Sequence, residues 1–223
     1  MDSSQQVIAV ILDIVGSRRL SDRAAAQAGI ERALAASAAH AVPRTPPAPT
    51  VGDEFQAVYD ELPTAILGCT LTALALPEGV ELRVGYGVGT IRSVRSADDH
   101  GGAGIQDGPA WWNAREAIEQ AHGRQSAGNP WVRSRLCAGD DGPLAGPAEA
   151  AVNAALTLAD HCLTRMKRRE RRVAAAALRG TPQREIAKQE GVSQSAVSQL
   201  LHRSGGAALR VALDLLADQA KAR

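Results

Sequence analysis

Aromatic side chains are scarce. Three Trp, two Tyr and one Phe make up 3% of the 223 residues, so Ala, Val, Leu and Ile must fill the core. Cysteine is scarce as well, and odd in number. Cys69, Cys137 and Cys162 show neither metal nor redox spacing, which excludes a zinc ribbon and a thiol–disulfide enzyme. They read as small buried hydrophobes in a reducing compartment. His40, His100, His122, His161 and His202 are scattered without ligand spacing, so no zinc site or His-based catalysis follows. Long apolar runs are missing too. Val7–Leu12 is too short for a secretory leader and ends at a charge, and no stretch can span a bilayer. The expected location is the cytoplasm, without a membrane partner. There is no internal repeat.

Net charge is nearly absent, at +1, but the balance is unevenly distributed. Residues 161–223 carry 13 Lys and Arg against 5 Asp and Glu, a surplus of +8, while residues 1–160 carry 12 against 19, a deficit of −7. Such asymmetry points to a nucleic-acid-binding end attached to something else. Two domains are expected, at 1–146 and 147–223.

The stretch Gly180–Gly205 reads as a helix-turn-helix. Thr181 suits an N-cap with Pro182 at the first helical position. Ile186 and Ala187 face inward, and Gly191 sits where the turn needs positive φ. Val192 anchors the turn and Ser193 caps the second helix. Val197, Leu200 and Leu201 share one face of that helix. Gln194, Ser195, Ser198, Gln199 and His202 then point outward, with Arg203 beside them, as polar groups able to read base edges. The basic run Arg165, Lys167, Arg168, Arg169, Arg171, Arg172 lies just upstream. It offers phosphate contacts, or alternatively a solvated helix face. The segment IAKQEGVSQSAVSQLL resembles the helix-turn-helix of sigma-factor region 4. A double-stranded DNA partner is expected.

Along the rest of the chain, Val7–Leu12 reads as a buried central strand and 22–39 as a helix. Residues 42–50, with four prolines, can form only an edge strand or an extended segment. Val51-Gly52-Asp53-Glu54 gives a turn, with Phe55–Tyr59 a strand leaving a hairpin. A helix over 62–76 follows, then a strand over 80–91 whose glycines permit close backbone approach. Residues 95–109 read as a glycine-rich loop, 110–121 as a helix and 131–137 as a strand. From Ala148 a long helical stretch leads into the helix-turn-helix, and Leu209, Leu213 and Leu216 mark a last helix. The fold class is α+β, followed by an all-α end.

Two acidic sites stand out. Asp13 ends the buried strand, and Asp53-Glu54 lies in the hairpin turn. Carboxylates so placed suit Mg²⁺ on nucleotide phosphates. Backbone N–H groups over Ile14, Val15, Gly16 and Ser17 suit phosphate oxygens. The plain alternative is a capping residue and an ordinary turn. Trp111 and Trp112 read as anchors at a core edge or dimer interface in preference to base-stacking platforms.

The words DIVGSRRLSDR, VGDEFQAV, LRVGYGVGTI and DGPAWWNAREAIEQA resemble, in order, segments of class III nucleotide cyclases. VGDEFQAV also resembles the GGDEF signature of diguanylate cyclases. Joined to the helix-turn-helix, they make the chain similar to the SatD family, a group related to nucleotide cyclases. The resemblance implies a ferredoxin-like palm, a homodimer and a nucleotide or cyclic dinucleotide ligand. It makes Asp13 and Asp53 metal ligands for Mg²⁺, with Glu54 beside them. Arg115 becomes the arginine on the transferring phosphate and Asp107 the base-recognising acid. Trp111 stands where a cyclase has Asn, Val51 replaces the first glycine of GGDEF, and no Lys precedes Gly52. The functional expectation is a DNA-binding regulator with a nucleotide-binding, cyclase-like module, more a sensor than an enzyme. The alternative is an active cyclase.

Overall fold

The structure, a computed structural model, describes residues 5–50, 53–94, 105–140 and 142–221. In chain order its elements are β1 (Val7–Ile14), α1 (Arg23–Ala38), β2 (Thr45–Pro49), β3 (Glu54–Tyr59), α2 (Leu62–Ala75), β4 (Leu82–Gly89), β5 (Arg92–Val94), β6 (Ile105–Asp107), α3 (Pro109–Ser126), β7 (Ser134–Cys137), α4 (Pro147–Arg165), α5 (Arg168–Leu178), α6 (Gln183–Glu190), α7 (Gln194–Ser204) and α8 (Gly206–Lys221). The fold is α+β. One mixed five-stranded sheet has the order β2-β3-β1-β4-β7, and β5 pairs with β6 apart from it. β1 runs antiparallel to β3 and β4, while β4 and β7 are parallel.

β1 is central because nearly every residue in it is apolar and both its faces are covered. Ile8, Val10, Leu12 and Ile14 join a core with α1 and α2. Val7, Ala9 and Ile11 pack with Ala110, Ala114 and Ile118 of α3. The apolar character of α2 has a similar cause. One side meets the sheet, and Leu71 and Leu74 on another meet Met166, Ala174, Ala175 and Leu209 of the C-terminal helices.

β4 explains the glycines of LRVGYGVG. Tyr86 and Val88 join the α1–α2 core, while Gly85 and Gly87 face α3. A Cβ on Gly87 would lie 2.1 Å from the Ala110 carbonyl oxygen and 2.2 Å from the Ala114 nitrogen. The close backbone approach expected of these glycines is therefore real, with the small residues Ala110 and Ala114 completing the seam.

Both sheet edges are closed. β2 holds Pro46, Pro47 and Pro49, which lack N–H donors. At the other edge, α4 satisfies the outward N–H groups of β7 and its flank. Asp160 Oδ2 accepts from Ser134 N and Arg133 N at 2.8 Å each, Asn153 Oδ1 from Leu136 N at 2.8 Å, and Glu149 Oε2 from Ala138 N at 2.9 Å. Asn153 Nδ2 also donates to Leu136 O at 2.9 Å.

Several expectations shift. Residues 105–107, assigned to a loop, form β6 against β5; residues 51–52 and 95–104 lie outside the described residues. α3 runs on to Ser126. The long helical stretch breaks at Met166-Lys167, where Glu170 Oε2 accepts from Lys167 N at 2.9 Å and starts α5 anew. Pro182, not Thr181, is the N-cap of α6: its carbonyl accepts from Glu185 N at 2.9 Å and Ile186 N at 3.1 Å, while Thr181 belongs to the turn that ends α5, its N donating to Ala176 O. Cys69 and Cys137 are buried, while Cys162 is half-buried. No described helix is long and apolar enough to cross a membrane.

Candidate functional site

Asp13 stands opposite Glu54 on one side and Arg83 on the other in the antiparallel ladders. Period-two alternation puts all three on the face that carries α3. Arg83 Nη1 donates to Asp13 Oδ2 at 2.7 Å, and Arg83 Nε donates to Gln125 Oε1 of α3 at 2.8 Å. The other carboxylate oxygen, Asp13 Oδ1, is buried with no hydrogen-bond partner among the described residues. Burial pushes the Asp13 carboxyl above its usual range, beyond the opposing pull of Arg83, and the charge of Asp53 adds to the rise. Asp13 thus has one oxygen paired with Arg83 and one buried without a protein partner among the described residues.

Glu54 is gripped by Arg115. Nη1 donates to Oε2 at 2.6 Å and Nη2 to Oε1 at 2.9 Å, a two-pronged pair. Gln56 Nε2 donates to Glu54 Oε1 at 2.9 Å. Hydrogen bonding to Glu54 is the main cause that raises the Arg115 pKa. The structure therefore brings Asp13, Glu54 and Arg115 to one end of one sheet face, with Asp53 near enough to act on Asp13. Asp107 is placed apart in β6, where it accepts from Trp112 Nε1 at 2.9 Å. Trp112 is exposed, while Trp111 packs on the Val7–Ala9–Ile11 cluster. Asn113 Nδ2 donates to Val88 O at 2.8 Å, a packing role.

In the turn after β1, Gly16 takes positive φ at 65° and leads into a short 3₁₀ turn, Ser17–Arg19. Ile14 is in the ladder with Leu82, and Val15 N donates to Glu81 O at 2.9 Å. The Val15 donor, expected to meet phosphate, is therefore committed. Among the described residues no group of three or more His, Cys, Asp or Glu is placed to hold a metal. Mg²⁺ commonly needs only one or two carboxylates when a phosphate supplies the rest. The unpartnered Asp13 Oδ1 beside Asp53 fits that donor set. Sequence reasoning missed Arg83 and Gln125. The signal for Arg83 was the alternation Arg83-Gly85-Gly87, which puts it on the glycine face.

The second candidate site is α7. Gly191 has φ 64°, Val192 N donates to Ala187 O at 3.0 Å and Gly191 N to Lys188 O at 3.3 Å, which closes α6. Ser193 Oγ accepts from Ala196 N at 3.1 Å and starts α7. Val197 and Leu201 are buried with Ile186, Ala187 and Val173. That packing leaves Gln194, Ser195, Gln199, His202 and Arg203 exposed and Ser198 half-buried. The arginines of α5 divide. Arg168 is exposed. Arg172 pairs with Glu190 through Nε–Oε1 at 2.8 Å and Nη2–Oε2 at 2.7 Å, and Arg169 Nη2 donates to Glu190 O at 2.6 Å. Arg171, expected with them as a phosphate contact, turns the other way. It is half-buried, and its Nη2 donates to Ala73 O of α2 at 2.9 Å.

Comparison with curated proteins gave no match. The SatD family model matches residues 7–214, almost the whole length, and the chain belongs to the SatD family.

Proposed function

We propose that this protein is a cytoplasmic, DNA-binding transcriptional regulator whose N-terminal module binds a nucleotide or cyclic dinucleotide. The observation that carries the DNA reading is α7. It is a Ser193-capped helix after a Gly191 turn, anchored by Val197 and Leu201, with Gln194, Ser195, Gln199 and His202 in solvent. A recognition helix reads base edges from such a face, Gln pairing best with adenine. Arg168 and Arg203 flank it for phosphates, and Arg169 and Arg172 also keep exposed surface beside their Glu190 contacts.

The N-terminal reading rests on strand order and on Asp13. The order β2-β3-β1-β4, all antiparallel, supports a ferredoxin-like palm, to which β7 would be an addition. In this reading Asp13 and Asp53 hold Mg²⁺, which would supply charge neutralisation for nucleotide phosphates. Glu54 and Arg115 would stand beside the phosphates, and Asp107, held apart by Trp112, would recognise the base. A homodimer would present two α7 helices to a palindromic operator with half-sites one helical turn apart, or a multiple of it. α4, bonded to β7 and leading into α5 within two residues, would carry ligand-dependent shifts to the DNA-binding end.

The second reading is an active nucleotide cyclase. Two pairings weigh against it: Arg83 holds one oxygen of Asp13, and Glu54 engages the arginine needed on the transferring phosphate. The deciding experiment is selection of binding sites from random duplex DNA by the purified protein. Recovery of a palindromic sequence, lost in Gln194→Ala and Gln199→Ala, supports the regulator. Failure to enrich any sequence overturns it. Mg²⁺-dependent turnover of ATP or GTP, absent in Asp53→Ala, would favour the cyclase.

A further inference from the structure

Between the sheet and the C-terminal helices lies a cavity of about 60 Å³. Its wall is mostly apolar, with Leu12, Ile66, Leu82 and Leu156, and polar groups stand at Thr70 and Ser134. One water needs roughly 10–15 Å³ on such a measure, so the space suits about four waters or a ligand of about four to six non-hydrogen atoms. A nucleotide is far too large for it.

Two arginines line this cavity, from different parts of the chain. Arg133, just before β7, donates from Nη2 to Glu81 Oε2 at 2.6 Å and from Nη1 to Pro130 O and Val132 O. Arg171 of α5 donates from Nη2 to Ala73 O. The Nε of each is buried with no hydrogen-bond partner among the described residues. Burial lowers the Arg171 pKa, with Glu81 its opposing countercharge. Asp160 also lines the cavity, but its oxygens are taken by Arg133 N, Ser134 N and Ser134 Oγ. Two guanidinium groups thus line the cavity with their Nε atoms unmatched, beside Glu81, which pairs with Arg133, and Asp160, whose oxygens are taken.

We propose that this cavity is a binding site for a short-chain monocarboxylate, its two oxygens accepting from Arg133 and Arg171 and its tail lying on the Leu and Ile wall. A planar two-oxygen acceptor suits paired guanidinium donors, and an apolar tail of up to three carbons matches the volume. Phosphate would bring a second charge beside Glu81 and nothing for the apolar wall. The binding step stands apart from the DNA reading, but Arg171 belongs to the first helix of the DNA-binding unit, so an occupant would tie that helix to the sheet.

The test is thermal melting of the full chain with sodium butyrate, against butyramide and inorganic phosphate at matched ionic strength. Butyrate is expected to raise Tm saturably by about 3 °C at roughly ten times its Kd, and neither control to do so. Arg171→Met should abolish the shift. So should Ala159→Leu, which keeps both arginines and fills the cavity that Ala159 lines. Absence of a saturable shift with wild-type protein overturns the proposal, as does an equal shift from butyramide or phosphate. Retention of the shift in Ala159→Leu also overturns it, and so does a crystal grown in butyrate with only water between the two Nε atoms.

Discussion

Asp13 and Arg83 face each other across the β1–β4 ladder, with Nη1 2.7 Å from Oδ2. Arg83 is 9% exposed and the Asp13 side chain 31%. Removing the cation leaves a largely desolvated carboxylate without its partner. Arg83→Met is expected to lower unfolding stability by about 2 kcal/mol in urea titration, less than a fully buried pair would lose because Asp13 keeps some solvent. If Asp13 holds Mg²⁺, millimolar Mg²⁺ with nucleotide should recover part of that loss in Arg83→Met and none in Asp13→Ala.

The α3–β4 seam makes a sharper prediction. A methyl at Gly87 would meet backbone atoms of α3 at 2.1 and 2.2 Å, and backbone there cannot step aside as a flexible side chain would. Gly87→Ala should cost more than about 3 kcal/mol or prevent folding altogether, read by circular dichroism and urea titration. Gly123→Ala, on the same helix with open space at its Cβ, should be neutral or slightly stabilising.

On DNA, Gln194→Ala and Gln199→Ala should each weaken a selected site by about 1–3 kcal/mol and leave non-specific binding unchanged. Arg168→Ala should weaken all duplexes alike and reduce the salt slope by about one. Arg171→Ala should leave that slope unchanged, since Arg171 points at α2. Fluorescence anisotropy over a salt series separates the cases.

Asp160 gives the pH dependence. Burial raises its carboxyl from 3.8 to about 6, against the lowering effect of its three hydrogen bonds. A folded-state value above the unfolded one favours the protonated form in the fold. Its stabilising contribution is therefore complete below about pH 4 and lost as pH rises through about 6, roughly 2–3 kcal/mol in all. Asp160→Asn should remove that fall from the stability–pH curve. It should keep both backbone bonds at this edge, because the amide oxygen can take the place of Oδ2 while the amide nitrogen donates to Ser134 Oγ.

Much of the fold was legible in local pattern. VIAVIL reads as a central strand because six apolar residues need cover on both faces, and the glycines of β4 announce close approach. The proline run reads as an edge because it lacks donors. The Gly191–Ser193 turn was legible because its chemistry is local. What escaped depends on pairing across distance. Arg83 reaches Asp13, and Arg115 reaches Glu54, 61 positions away; no short window contains both partners. Arg171 was misplaced because a run of arginines does not show which one a neighbouring helix will claim. The break before α5 escaped because Lys167 and Glu170 make it without glycine or proline.

The two closed edges bear on how copies of this chain can meet. A second molecule approaching β2 finds prolines instead of a full row of donors, and one approaching β7 finds its N–H groups already answered by Glu149, Asn153 and Asp160. The five-stranded sheet is therefore poorly suited to being lengthened from outside at either end. At these two edges cross-β growth has a poor template, so concentrated solutions should resist fibril seeding through the five-stranded sheet, and a two-fold partner is expected to dock elsewhere than along β2 or β7.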